Sequence, residues 1–264
     1  MTSHFTFNSF GVTVAIESNT PELLDEASAI ARNSLLGRLK AVKAKTPGVM
    51  FQLDQHGPQS YRMYMNDEPM VSARSRWKFL KFFDAVLRAT VGEYAPDLVF
   101  LHAGVVGWKG KAIVMPADSF QGKSTITAEL VRRGASYYSD DFGIIDPNGQ
   151  VHAFPRTISL RDGGRLVDLT PESLGASRNE PPIPVGLVLF TEYKPKAKWR
   201  PRISTAGQGA LEMIPYALSF RQNPEFCLRV LNLVAASAII ASSPRGTAEE
   251  FAELILDFVD KSVN

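Results

Sequence analysis

One segment constrains this chain more than any other. An apolar run, Lys111-Ala-Ile-Val-Met115, leads into Pro116-Ala-Asp-Ser-Phe-Gln-Gly-Lys-Ser-Thr125. An amphipathic stretch follows and closes on Leu130-Val-Arg-Arg-Gly134, and an Asp-Asp pair stands at 140–141. Gly122-Lys123-Ser124 is the portion of a Walker A pattern that touches phosphate and metal, and strand, loop and helix are the context such a match requires. A helix from Lys123 to Arg133 climbs roughly 16 Å from the loop at its usual rise. Gly134 suits a helix stop, and a strand over Ala135-Ser-Tyr-Tyr-Ser-Asp140 returns roughly 18 Å. The two lengths nearly cancel, so Asp140 and Asp141 are expected beside Lys123 and Ser124.

The chemistry of such a site assigns roles. Backbone N–H groups of a loop over Ala117, Asp118, Ser119, Phe120, Gln121 and Gly122, with the helix start at Lys123, Ser124 and Thr125, favour a bound polyphosphate. Lys123 is expected on the β- and γ-phosphates and the Ser124 hydroxyl on Mg²⁺. One carboxylate shares the metal and another accepts the proton of an attacking hydroxyl, and adjacent aspartates supply both. The bland alternative is a chance Gly-Lys-Ser and a solvated turn at the aspartates. Ala117 stands where the full pattern has glycine, so the loop must enter its turn without positive φ there. The Phe120 ring must point away from a ligand.

These residues resemble the HPr kinase/phosphorylase family and its HPr kinase-related members. That family combines a Gly-Asp-Ser-Gly-x-Gly-Lys-Ser loop, a helix ending Arg-Gly and a strand ending Ala-Asp-Asp. Here the matching stretches are Ala117–Ser124, Leu130–Gly134 and Ser139-Asp-Asp141, and Leu101-His-Ala-Gly104 stands where the family has a His-Gly step. The resemblance covers residues 97–165. It implies an α/β (α+β) fold, with a phosphoenolpyruvate carboxykinase-like P-loop domain on a strongly bent sheet. It implies Asp140 as base toward a serine hydroxyl, Ser124 and Asp141 near magnesium, and His102 close to the transferred phosphate. ATP and Mg²⁺ are the implied cofactors. The acceptor is a hydroxyl of a protein, peptide or small molecule, and a homo-oligomer is possible on the family's pattern. Two of the family's loop glycines are replaced, by Ala117 and Phe120. Its Glu-x-Arg-Gly-Leu-Gly signature is missing, the nearest segment being Ser159–Arg165, and its basic HPr-contacting loop is not evident.

Composition excludes several classes. With 264 residues, 45% hydrophobic and 21% charged, the chain reads as globular, long enough for one large domain or a catalytic domain plus a smaller unit. A net charge of +2 argues against nucleic acid or an anionic membrane as partner. The single Cys227 excludes an internal disulfide or a cysteine metal cluster. The N-terminus lacks the pattern of a signal peptide, and the apolar run 227–241 is broken by Arg229 and Asn232 and reads as a buried helix. The expected compartment is the cytoplasm.

Two regions are expected: a small α+β unit over 1–95 and the P-loop kinase-like part over 96–264. In the first, residues 5–17 read as a strand, 20–36 as a helix, 49–53 and 61–65 as a hairpin, and 72–91 as a helix with Trp77, Leu80, Phe83 and Val86 or Leu87 on its core face. In the second, strands are expected at 98–102, 110–115 and 185–193, a hairpin at 143–154, and mainly helix from 209 to 263. Arg156 and Arg161 are candidates for neutralising phosphate, with solvated strand edges as the alternative. The basic run Lys194, Lys196, Lys198, Arg200, Arg202 reads as a solvated loop, or as one that docks an acidic peptide or covers the nucleotide. His4, His56 and His152 are expected at the surface. Two rivals stand beside a protein kinase: a small-molecule kinase on the same scaffold, and a nucleotide-binding module without catalysis.

Overall fold

The computed structural model describes residues 3–43, 46–118, 121–162, 165–177 and 180–262. It is a mixed α/β structure in two compact units, Met1–Asp97 and Leu98–Asn264. No helix among the described residues is long and apolar enough to cross a membrane.

The first unit runs β1 (Ser3–Ser9), β2 (Val12–Ser18), α1 (Pro21–Ser34), β3 (Lys40–Ala41), β4 (Val49–Gly57), β5 (Ser60–Met65), β6 (Glu68–Ala73) and α2 (Arg76–Tyr94). Its six-stranded sheet has the order β3-β1-β2-β4-β5-β6, with β2 and β4 parallel. The single strand expected over 5–17 is a hairpin, because Phe10 and Gly11 take left-handed φ angles of 49° and 82° at a tight turn. The helix expected from Ser72 begins later: Ser72 belongs to β6, and the Ser75 hydroxyl caps α2 by accepting from the Lys78 N–H. Phe83 and Leu87 are buried as expected, Phe79 joins them, and Trp77 is instead 66% exposed on the first turn.

The second unit continues with β7 (Val99–Trp108), β8 (Lys111–Pro116), α3 (Lys123–Arg132), β9 (Ser136–Ser139), β10 (Phe142–Ile145), β11 (Gln150–His152), β12 (Ile158–Asp162), β13 (Arg165–Leu169), β14 (Ile183–Phe190), β15 (Arg202–Ile203), α4 (Ala206–Met213), α5 (Pro224–Ser237), β16 (Ile239–Ser242) and α6 (Ala248–Ser262). The eight-stranded sheet follows β11-β10-β7-β8-β14-β16-β15, and β9 pairs with β7. Because β11 pairs with both β10 and β14, five strands close on themselves and the sheet curls. β7 turns the corner: Val99–His102 pair with β10, and Ala103–Trp108 with β8.

Both faces of this sheet are covered, which explains the uninterrupted apolar run in β8. Ala112 and Val114 face a core shared with α4 and α5, whereas Ile113 and Met115 face α3 and α6. β16 was not expected. The apolar stretch read as helix through Ala241 leaves the helix at Ser237, and Ile239–Ser242 pair in parallel with Leu187–Phe190 of β14.

Candidate functional site

Three parallel strands, β8, β14 and β16, point their carboxyl ends toward the loop that joins β8 to α3. The Ala117 N–H donates to the His102 carbonyl at 3.4 Å, extending the sheet one step past β8. Ala117 is not among the residues with positive φ, as alanine requires. Asp118 and Gln121 clasp each other: the Asp118 N–H donates to Gln121 Oε1 at 3.3 Å, and Gln121 Nε2 donates to Asp118 Oδ2 at 3.4 Å. The expectations placed on Ser119 and Phe120 lie outside the described residues.

Gly122 caps α3 with a left-handed φ of 80°, which a side chain would oppose. Lys123 then sits on the first turn, 9% exposed, and Thr125 is exposed. Burial pushes the Lys123 ammonium below its ordinary value, while Asp140, Asp141 and Asp118 pull it back. Lys123 is thus a buried cation within electrostatic reach of three carboxylates.

The aspartates arrive where the length argument puts them. The Ser124 hydroxyl donates to Asp140 Oδ2 at 2.6 Å. The Ser139 hydroxyl makes the turn between β9 and β10, accepting from the N–H groups of Asp141 at 3.2 Å and Phe142 at 3.1 Å. Burial raises the Asp140 carboxyl to about 6, against the opposing pull of the Ser124 bond and Lys123. Its Oδ1 is shielded from solvent without a hydrogen-bond partner, and so is Thr127 Oγ1 on the next turn of α3. Arg156 Nε lies 3.9 Å from Asp141 Oδ2, and Tyr137 fixes that segment by donating to the Arg156 carbonyl at 2.6 Å. The Arg161 side chain is outside the described residues.

His102 is mid-strand on β7 rather than at a strand end, opposite Phe142 of β10. Burial and then Lys123 lower its pKa, so the imidazole is neutral near pH 7. Among the remaining histidines, His152 Nε2 contacts Asp146 Oδ2 at 3.0 Å, and His4 and His56 are exposed.

Two features of the site take their place only from the fold. Arg245, between β16 and α6, is 2% exposed; its Nη2 donates to the Gly122 carbonyl at 2.7 Å and its Nη1 to the Gly246 carbonyl at 3.1 Å. Only the Pro244-Arg-Gly246 punctuation hinted that this arginine was held in place. The second is the basic run: Trp199 packs edge-on against Phe251 and Phe258 of α6, the Arg200 N–H donates to Ser243 Oγ at 3.1 Å, and Arg202 pairs with Ser242. The five basic residues are exposed, as the solvated reading expects, but the backbone that carries them is anchored.

No protein-family profile matches the chain, and no curated protein sequence does. Among solved structures, the HPr(Ser) kinase/phosphatase from Coxiella burnetii aligns at 15% identity over 61% of this chain and 94% of its own, with a TM-score of 0.36. That likeness is distant.

Proposed function

We propose that the chain is an ATP- and Mg²⁺-dependent kinase resembling HPr(Ser) kinase, moving the γ-phosphate to a hydroxyl, most plausibly a serine of a protein or peptide. The observation that carries this reading is the 2.6 Å bond from the Ser124 hydroxyl to Asp140, beside a buried Lys123 at a helix start. A hydroxyl and two carboxylates are hard oxygen donors suited to magnesium, and Asp140 Oδ1 is buried without a hydrogen-bond partner. Among the described residues no three His, Cys, Asp or Glu side chains cluster as a metal cage, which matches an ion that takes only one or two ligands from the protein. Ser124 and Asp141 would hold the ion, which would supply charge neutralisation to the phosphates.

The chain's own residues do the rest. Lys123 and the N–H groups at the start of α3 bind and orient the phosphates. Asp140, raised toward neutrality, accepts the proton of the attacking hydroxyl. Neutral His102 would offer its ring N–H to the transferred phosphate without adding charge. Arg156 steadies Asp141. The same 2.6 Å bond favours a second assignment, in which Asp140 joins Ser124 on the metal and Asp141 is the base. A small-molecule hydroxyl as acceptor remains on the same scaffold.

Calorimetry with ATP-Mg and a phosphate-transfer assay test the reading. Lys123→Ala should abolish binding, whereas Asp140→Asn should keep binding and lose transfer. A wild-type protein that binds ATP-Mg yet turns over no acceptor would leave a regulatory nucleotide-binding module instead.

A further inference from the structure

The geometry points to a separate seat for the nucleoside end of the phosphate donor, at the carboxyl ends of β8, β14 and β16; this rests on the nucleotide-binding reading above. A cavity of about 500 Å³ opens there, within the range of small-molecule sites. It touches the candidate phosphate loop through Gln121, and Phe190 and Tyr216 line it. Crevices beyond the carboxyl ends of parallel strands are where open α/β sheets take ligands.

Direction follows from the sheet order. Asp140, Asp141 and His102 are carried by β7, β9 and β10, on one side of β8, and none of them lines the cavity. The cavity belongs to β14 and β16, on the other side. A donor whose terminal phosphate faces the aspartates therefore extends its opposite end into this space. Inorganic pyrophosphate would fill the loop and leave the cavity without an occupant.

The lining suits a nucleoside with its phosphate chain. The Phe190 and Tyr216 rings lie 6.0 Å apart at 39°, flat surfaces against which a base can stack. Lys194 is held by Glu192 at 3.1 Å. Among the described residues no carboxylate pairs with Lys198, Arg200 or Arg202, so three cations face the cavity uncompensated and meet the phosphate nearest the sugar. The anchoring of the Trp199 ring and of the Arg200 and Arg202 backbone described above fixes where these exposed cations leave the chain, at the rim of the cavity.

Calorimetric titration with Mg-ATP and with Mg-tripolyphosphate, a probe that has phosphates and no nucleoside, tests this. Tyr216→Ala should weaken ATP on the order of tenfold, the scale of one stacked base, and leave tripolyphosphate unchanged, whereas Tyr216→Phe keeps both. Arg202→Gln, at an exposed position and so safe for folding, should weaken ATP and flatten the salt dependence of its binding. ATP affinity indifferent to Tyr216→Ala and Arg202→Gln would overturn the inference while leaving the nucleotide reading intact, as would a change seen only in the KM of an acceptor. A wild-type protein that binds neither probe would overturn both.

Discussion

Arg245 and Gly122, 123 positions apart, share one hydrogen bond of 2.7 Å, from the guanidinium to the carbonyl that also accepts the first helical N–H, that of Ile126. A peptide plane is rigid, so holding this carbonyl toward Arg245 turns the Lys123 N–H the opposite way, into the loop. Arg245→Ala removes that hold and leaves the Gly122 carbonyl with the Ile126 N–H alone. We expect it to lower stability by about 1.5–3 kcal/mol, the scale of a hydrogen bond to a charged group, and to weaken ATP-Mg more than tenfold. Denaturant melts and calorimetry check both effects; unchanged ATP affinity in a folded variant would separate Arg245 from the site.

Gly104 of β7 is the floor under α3. A methyl group there would stand 2.3 Å from Thr127 Oγ1 and 3.1 Å from Lys123 Cγ. Gly104→Ala must lift the first turns of the helix, and overpacking of this kind costs about 1–3 kcal/mol. The expected outcome is a lower midpoint in urea together with loss of nucleotide binding, and normal binding would mean the helix gives way without moving Lys123.

Asp140 and Asp141 are separable by their metal dependence. If Asp140 is the base, Asp140→Asn abolishes transfer at every magnesium concentration, and Asp141→Asn raises the magnesium needed for half-maximal rate. The reverse pattern would exchange their roles. A magnesium titration of transfer rate on both variants decides it.

The raised Asp140 pKa predicts two pH effects with opposite signs. A base must be ionised, so transfer should rise with pH through a midpoint near 6. Stability runs the other way. The folded state holds the Asp140 proton up to about 6, the unfolded chain only to about 3.9, so folding binds protons between these values. This contribution is fully present below about 4 and is lost as pH rises through 6. Asp140→Asn should therefore melt at a higher temperature than wild type at pH 7, with the difference shrinking toward pH 4. A difference independent of pH would refute the burial of a titrating carboxyl.

Short-range chemistry was enough to read the strand–loop–helix at 111–132 and the return of the aspartates. Helix rise and strand rise are fixed by the backbone, so two lengths written in the chain put Ser124 and Asp140 at one level. Residues 227–241 were not readable in this way. Their apolar run suits a buried helix or a buried strand equally, and the neighbouring β14, far away in the chain, made Ile239–Ser242 a strand. The same holds for Arg245 and Trp199. A charged or aromatic residue in a loop takes its role from whatever the fold packs against it, and here that is the Gly122 carbonyl and the Phe251 and Phe258 rings. Local geometry is encoded residue by residue, whereas the meeting of distant segments is settled only when burial closes the helices over both faces of the sheet.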